Sequence, residues 1–372
     1  MQNYTQFTSN KISDEVYCPT SKSYANRAII IGALKSETVT VLDCPESQDV
    51  IDLIENLTLL GIEITRDDEN ISIVNSFPDC ESKKSAPTLL AGSEGGTTIR
   101  FLLALLALGK EVYHLPMKGE LSKRPMESYF KLLRSLGAKI NIIDKNIEIQ
   151  GPIDVKNKKI IVDCSETTQF ASAFMLLQSI FDFAVELKDL HSSEKYIDLT
   201  HSVIDSFQKE TSFIVPPDFS CLGYFLTYGV LNQNLIIKNV KYVDQIQADA
   251  ILVNILRDCG AQIDIKESGL HLYKSEKLAP FDVDGSKCID LVPTLMFLGS
   301  FIKGECIIKN VRFLKHKESN RLSEMIKMLT YFQVDFDYNE AGDIFTIRNI
   351  KNWDVPHPPK IQVAFDHRMA MV

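Results

Sequence analysis

The sequence predicts an α/β protein made by repeating one helix–strand–helix–strand–strand unit, in a chain of 372 residues that suits two domains. Three observations lead to this reading. Four segments share one pattern of an amphipathic helix followed by a strand: LIENLTLLGIEI (53–64), YFKLLRSLGAKI (129–140), LVNILRDCGAQI (252–263) and EMIKMLTYFQVDF (324–336). A second, more apolar helix precedes each of them. The strands NLIIKNV (234–240) and ECIIKNV (305–311) also resemble each other closely enough to indicate internal duplication.

Taken in order, the apolar upstream helices are expected at 21–35, 95–109, 166–178, 218–231 and 289–303. Each leads into a strand: TVTVLD (38–43), KEVYHLPM (110–117), FAVELKD (183–189), and the two related strands above. The amphipathic helix comes next. Gly61, Gly137 and Gly260 stand where a helix ends in a left-handed residue, and Phe332 takes that place in the fourth copy. Short alternating strands close the units (ISIVN, NIEIQ, LHLYK, IFTIR). YIDLTHSVIDSFQKETSFIV (196–215) reads as a fifth, weaker copy. FDHRMAMV at the end of the sequence reads as the opening of a sixth upstream helix, so the sixth unit is expected to be truncated.

Composition narrows the function. The chain is 45% hydrophobic and 24% charged, as in a water-soluble globular protein. Its net charge of −9 argues against nucleic-acid binding by bulk electrostatics, so any anion site must be a local cationic cluster. No apolar run approaches the about 20 residues of a membrane span, and the first residues lack a signal-peptide core. The eight cysteines are scattered singly without a C-x-x-C pair, which reads as reduced core cysteines in a cytoplasmic protein rather than zinc or redox sites. No phosphate-binding glycine motif or metal-ligand cluster is present, and no cofactor is expected.

The polar residues collect at helix starts: Ser21-Lys22-Ser23, Gly95-Gly96-Thr97, Thr167-Thr168-Gln169, Asp218, Asp290 and Asp366-His367-Arg368, with Asp49, Arg124-Pro125, Tyr196 and Lys317-Glu318 opening the downstream helices. Singly, Ser, Thr and Asp there are ordinary N-caps. Cations are different, because in a first turn they oppose the helix dipole. Lys22, Arg27, Arg100, Arg124, Lys317, Arg321 and Arg368 all lie on or near such turns. Gathered together, they would repel one another unless a ligand with several phosphate or carboxylate groups sat among them. Glu318, between Lys317 and Arg321, reads either as an intrahelical ion pair or as a proton-transfer carboxylate, and Asp290 as an N-cap or a catalytic acid.

With these residues in view, the chain resembles the 5-enolpyruvylshikimate 3-phosphate synthase family. The resemblance rests on SKSYANRA, GGTTIRF, KRPM, TTQFASA, YIDLT, PDFSCLGYF, QAD, IDLVPTL, HKESNRL and DHRMAM in the family's order. It implies a two-lobed inverse α/β barrel of β-α-β-α-β-β units, with residues 20–217 as one lobe and 1–19 with 218–372 as the other. It implies transfer of the enolpyruvyl group of phosphoenolpyruvate to the 5-hydroxyl of shikimate 3-phosphate, through a tetrahedral intermediate that expels phosphate, by a cytoplasmic monomer without a metal. Ser23, Arg27, Thr167, Thr168, Gln169, Ser193, Tyr196, Asp290 and Lys317 would hold shikimate 3-phosphate. Lys22, Gly96, Arg100, Arg124, Gln169, Arg321, His367 and Arg368 would surround phosphoenolpyruvate. Asp290 and Glu318, assisted by Lys22, would move protons. The sister UDP-N-acetylglucosamine enolpyruvyl transferases and a non-catalytic anion-binding homologue are the alternatives. Departures from the family pattern are Thr20 for Gly, Glu94 for Asn, Thr167-Thr168 for a Ser pair and Phe219 for a small residue. A further lysine that the family carries beyond DHRMAM is not in this sequence. The lack of a side chain at Gly96 is expected to leave room for glyphosate.

Overall fold

The computed structural model describes residues 13–80, 86–190, 194–350, 364 and 366–372. Unit two shows the plan. Strand β5 (Thr88–Leu89) leads through α3 (Gly96–Leu106) to β6 (Val112–Pro116), and the chain continues through α4 (Glu127–Ser135) to the hairpin β7 (Lys139–Ile143) and β8 (Asn146–Gln150). The sheet order is β5-β6-β8-β7, with β5 parallel to β6 and the rest antiparallel. The last unit repeats it with β15 (Asp282–Asp284), α9 (Val292–Gly299), β16 (Glu305–Lys309), α10 (Arg321–Tyr331), β17 (Val334–Asn339) and β18 (Ile344–Ile350), in the order β15-β16-β18-β17.

Units one and four borrow their first strand. In unit one, α1 (Lys22–Leu34), β2 (Val39–Leu42), α2 (Gln48–Leu59), β3 (Ile64–Asp67) and β4 (Asn70–Ile73) form a sheet whose parallel edge is β11 (Ser212–Ile214). That strand comes from unit three: β9 (Lys159–Asp163), α5 (Gln169–Gln178), β10 (Ala184–Lys188), α6 (Glu194–Phe207), β11. Unit three therefore keeps only the parallel pair β9–β10. In unit four, α7 (Phe219–Asn232), β12 (Leu235–Ile237), α8 (Ile251–Asp258), β13 (Ile263–Lys266) and β14 (Gly269–Leu272) take β1 (Glu15–Val16) as their parallel edge.

The helices divide as their sequences require. α1 is buried from Tyr24 to Leu34, α3 from Thr98 to Leu106 and α5 from Phe170 to Leu177. A helix apolar on every side has to lie inside the fold. These three pack on one another, with α2 and α6 against them. α7 and α9 are the corresponding buried pair farther along. Buried apolar side chains form two clusters, one running from Tyr24 to Val215 and one joining Cys18 to residues from Phe219 to Met369. The chain passes between them twice, side by side. Ser21 N–H donates to the Pro216 carbonyl and Asp218 N–H to the Pro19 carbonyl, both at 2.8 Å.

Three expectations need correction. The left-handed residue after α10 is Gln333 (φ +56), not Phe332, which still has φ −82. The position matches Gly61, Gly137 and Gly260, at φ +98, +110 and +97. Asp290 lies in a 3₁₀ turn (Ile289–Leu291), since the α-helix begins only at Val292. Lys317 and Glu318 precede α10 rather than open it, because Asn320 is its cap and accepts the Ser323 N–H. Glu318 and Arg321 are thus not an intrahelical pair. The final helix, α11 (His367–Met371), is capped by Asp366, whose carboxylate accepts the Arg368 N–H. All eight cysteines are free thiols, six of them buried.

Candidate active site

The starts of α1, α3 and α5 deliver one wall. Lys22, the first residue of α1, has its ammonium 2.9 Å from Asp49 Oδ2 on α2. That carboxylate lies against Gly95, where an added Cβ would come within 2.8 Å of it. The Thr98 hydroxyl donates to the Asp49 carbonyl, tying α2 to the turn before α3. The turn is held again from beneath. Buried Asp52 accepts the Ser93 hydroxyl (2.6 Å), and Ser93 Oγ accepts the Gly95 N–H (2.9 Å). Gly96 then faces two cations: a Cβ there would stand 2.6 Å from Arg124 Nη1 and 2.9 Å from Arg100 Nη1. This close approach is why the position takes no side chain.

Arg100 is nearly buried. It donates to Gln169 Oε1 and lies over the Phe170 ring, 5.3 Å from its centroid. Its Nε has no hydrogen-bond partner among the described residues. Burial, reinforced by the Arg124 charge, lowers its pKa to about 10. Gln169 in turn donates to Thr97 Oγ1 at 2.9 Å. Thr167 Oγ1 accepts the Gln169 N–H, and Thr168 is the buried residue ahead of α5.

Arg27 sits one turn below Lys22 and is 1% exposed. It donates to the Ser23 carbonyl (2.8 Å), Thr200 Oγ1 (2.8 Å) and Ser172 Oγ (3.2 Å), and is stacked between Phe101 and Tyr196. Among the described residues its partners are hydroxyls and carbonyls rather than a carboxylate, and burial lowers its pKa to about 10. Ser172 and Thr200 lie within TTQFASA and YIDLT, yet sequence reasoning gave them no role, because they stand 145 and 173 residues from Arg27 in the chain.

The second wall comes from residues 290–368. Arg321, also 1% exposed, is gripped by three acids: Nη1 to Asp290 Oδ1 (2.7 Å), Nη2 to Glu318 Oε2 (2.5 Å) and Nε to Asp366 Oδ2 (2.8 Å). Lys317 Nζ stands 3.7 Å from Asp290 Oδ1, and Arg368 Nη2 stands 3.8 Å from Oδ2. Burial alone would raise the Asp290 carboxyl, but Lys317, Arg368 and Arg321 outweigh it and hold it well below the usual range. Glu318 is likewise depressed by Arg321 and Arg124 against the effect of burial. His367 opens α11 next to Arg368, and desolvation and the Lys22 charge push its imidazole below its ordinary value.

Two contacts join the walls. Arg124 Nη2 lies 2.7 Å from Glu318 Oε1, and the Tyr196 hydroxyl donates to Asp290 Oδ2 at 3.0 Å. Lys22, Ser23, Arg27, Gly96, Arg100, Arg124, Thr167, Thr168, Gln169, Tyr196, Asp290, Lys317, Glu318, Arg321, His367 and Arg368 are thereby brought to one region by direct contact or close neighbours. Ser193 lies outside the described residues. Glu94 is exposed and sits against Gly119, where a Cβ would meet its carboxyl carbon at 2.8 Å. Thr20 turns to the β2 end, donating to the Asp43 carbonyl at 2.7 Å. Phe219 is part of the second core.

Sequence reasoning assigned no role to Asp249, from the QAD motif. It is buried beside this cluster, accepts the Ser220 hydroxyl, and its carboxyl is raised to about 6 by desolvation, with Arg368 opposing and Asp290 adding to the rise. An acid between a polar stretch and the apolar run of α8 was the available signal.

The family model described as EPSP synthase (3-phosphoshikimate 1-carboxyvinyltransferase) matches residues 7–210 and 206–372. The chain belongs to the EPSP synthase family. A 3-phosphoshikimate 1-carboxyvinyltransferase of Clostridium beijerinckii is 27% identical over 386 aligned residues, covering 97% of this chain and 87% of the relative. The Pyrococcus abyssi protein of the same name is 29% identical over 84% of this chain and 77% of its own length. Among solved structures, EPSP synthase from Acinetobacter baumannii superposes with a TM-score of 0.71 at 21% identity, covering 96% of this chain and 87% of that one. The enolpyruvyl transferase NikO from Streptomyces tendae gives 0.70 at 15% identity over 98% and 87%. These likenesses establish the mixed α/β fold of the EPSP synthases and their transferase neighbours for this chain.

Proposed function

We propose that this EPSP synthase family member transfers the enolpyruvyl group of phosphoenolpyruvate to the 5-hydroxyl of shikimate 3-phosphate and releases phosphate. The observation that carries the reading is the Arg124–Glu318–Arg321–Asp290–Tyr196 array, alternating in charge and shared between the two walls. An array of this kind suits two polyanionic reactants held face to face. Such positioning can supply about 7–11 kcal/mol of barrier lowering.

Ser23, Arg27, Thr167, Thr168, Ser193, Tyr196 and Lys317 are assigned to shikimate 3-phosphate. Lys22, Gly96, Arg100, Arg124, Arg321, His367 and Arg368 are assigned to phosphoenolpyruvate, with Gln169 between the two. Asp290, ionised among its three cations, is assigned to accept the 5-hydroxyl proton as that oxygen attacks the enol carbon, and substrate anions that draw those cations off would raise its basicity for the step. The methylene carbon gains a proton from Lys22 or Glu318, giving the tetrahedral intermediate. The C–O bond to phosphate then breaks, the methyl group returns its proton to the group that gave it, and the departing phosphate carries away the proton taken up by Asp290. Glu318 is depressed by Arg321 and Arg124. Phosphoenolpyruvate drawing Arg124 onto itself would relax this and let Glu318 carry a proton.

The two buried clusters support lobes at 20–217 and at 1–19 with 218–372. Among the described residues no helix is long and apolar enough to cross a membrane. The reading extends to a cytoplasmic monomer, checked by fractionation and by analytical ultracentrifugation. Phosphate release that requires both phosphoenolpyruvate and shikimate 3-phosphate tests the function. Release with UDP-N-acetylglucosamine instead would reassign it, and binding of both substrates without turnover would leave only an anion-binding protein.

A further inference from the structure

The helix that presents Lys22, Ser23 and Arg27 also carries Tyr24, which has no part in the chemistry above. Its ring is buried and stacked on Phe213, with centroids 6.0 Å apart. Its hydroxyl donates to Asp244 Oδ2 at 2.9 Å, across a sequence separation of 220 residues. Asp244 is also buried, and its carboxylate is fully engaged. Oδ1 accepts the Ile246 N–H at 3.1 Å, and Oδ2 accepts Gln247 Nε2 at 2.9 Å as well as the phenol. Gln247 reaches the place where the chain passes between the cores, donating to the Pro217 carbonyl (2.8 Å) and accepting the Phe219 N–H (3.0 Å). Ile246 packs on the core of the other lobe. The segment 244–249 is thus fastened at once to α1, to the crossing strand and, through Asp249, to the neighbourhood of Arg368.

We propose that Tyr24 and Asp244 are a positioning pair whose hydrogen bond aligns the cations of α1 with the carboxylates of the opposite lobe. The two side chains sit behind the site rather than in it. The bond joins a hydroxyl to a carboxylate in a nearly water-free place, where such bonds are at their strongest and an unmade one is most costly. Burial and the Asp244 charge push the phenol above its ordinary value, so it remains a donor throughout the working pH range. The kinetic arm of the test rests on the proposed reaction; the scattering arm does not.

Tyr24→Phe keeps the stack on Phe213 and removes only the hydroxyl. The contact between the two lobes that the structure shows is then expected to weaken about tenfold. The KM values for both substrates should rise together by up to about tenfold, with kcat within twofold, because saturating substrates still bring the lobes together. Small-angle scattering of the full ligand-free chain should give a larger radius of gyration than wild type. Asp244→Asn keeps one acceptor oxygen but sets an NH2 group against the remaining donor, so its KM values should lie between those of wild type and Asp244→Ala. Tyr24→Phe combined with Asp244→Ala should have KM values no higher than Asp244→Ala alone. Unchanged KM values and scattering in Tyr24→Phe, a fall in kcat with KM unmoved, or additive effects in the double variant would each overturn the proposal. If wild type fails to turn over the two substrates, the functional reading falls, and scattering alone still decides the pair.

Discussion

Arg124 and Glu318 meet at 2.7 Å although they belong to separate walls of the cleft and are far apart in sequence. The pair links a candidate phosphoenolpyruvate cation to a candidate proton carrier. Replacing Arg124 by Ala removes the cation from both jobs. Its loss is expected to cost about 2–5 kcal/mol in kcat/KM for phosphoenolpyruvate. Glu318→Gln, which keeps the shape and loses the charge, is expected to lower kcat by roughly 10²–10⁴ with a smaller change in KM. Steady-state kinetics with each substrate varied in turn separates the two effects.

Gly96 is where a side chain would do most harm for its size. The Cβ of Gly96→Ala would press on the guanidinium groups of both Arg100 and Arg124. We expect a higher KM for phosphoenolpyruvate, and weaker inhibition by glyphosate than in wild type. Wild-type activity that survives glyphosate far above the phosphoenolpyruvate concentration would remove glyphosate from this site.

Arg321 is surrounded by Asp290, Glu318 and Asp366. Arg321→Met would strand three acids around a neutral side chain. The expected loss of stability is about 3–5 kcal/mol, measured by urea unfolding, because a broken buried ion cluster leaves uncompensated charge. A shift under about 1 kcal/mol would mean that water already screens the cluster.

Asp249 gives a pH dependence of definite sign. Its carboxyl is raised to about 6 in the folded chain, from an ordinary value of 3.8. Folding therefore favours its protonated form. The associated stabilisation is fully present below pH ~4 and is lost as pH rises through about 6, a change of about 3 kcal/mol. Asp249→Asn should flatten that part of the stability–pH curve, read as unfolding free energy between pH 4 and 7. The depressed Asp290 and Glu318 act oppositely, stabilising above their ordinary range and losing that contribution as the pH falls through their lowered values.

Much of this arrangement could be read from the chain because its cause is local. α1, α3 and α5 are recognisable as buried helices because they are apolar on all sides, and Lys22 and Gly96 sit within a residue of where the pattern puts the helix starts. Glu318 and Asp290 were found as acids among cations, but not their geometry. The short turn set by Asn320 and the 3₁₀ turn at Ile289–Leu291 depend on how the chain enters the next helix. The contacts of Ser172 and Thr200 with Arg27, and of Asp244 with Tyr24, were out of reach although the first two residues lie in TTQFASA and YIDLT, since each contact depends on a partner brought close by the fold. The strand exchange of β1 and β11 was hidden for the same reason: a two- or three-residue strand carries almost no periodicity of its own.

That exchange also bears on how the protein is made. β1 leaves the ribosome before every element of the other lobe, yet its partner β12 begins at Leu235. At about 5–20 residues per second, β1 waits roughly 10–40 s before its neighbour is synthesised. The lobe closed by β11 can assemble in the meantime from contiguous chain. Translation thus imposes an order, with the lobe that contains the amino-terminal strand maturing second.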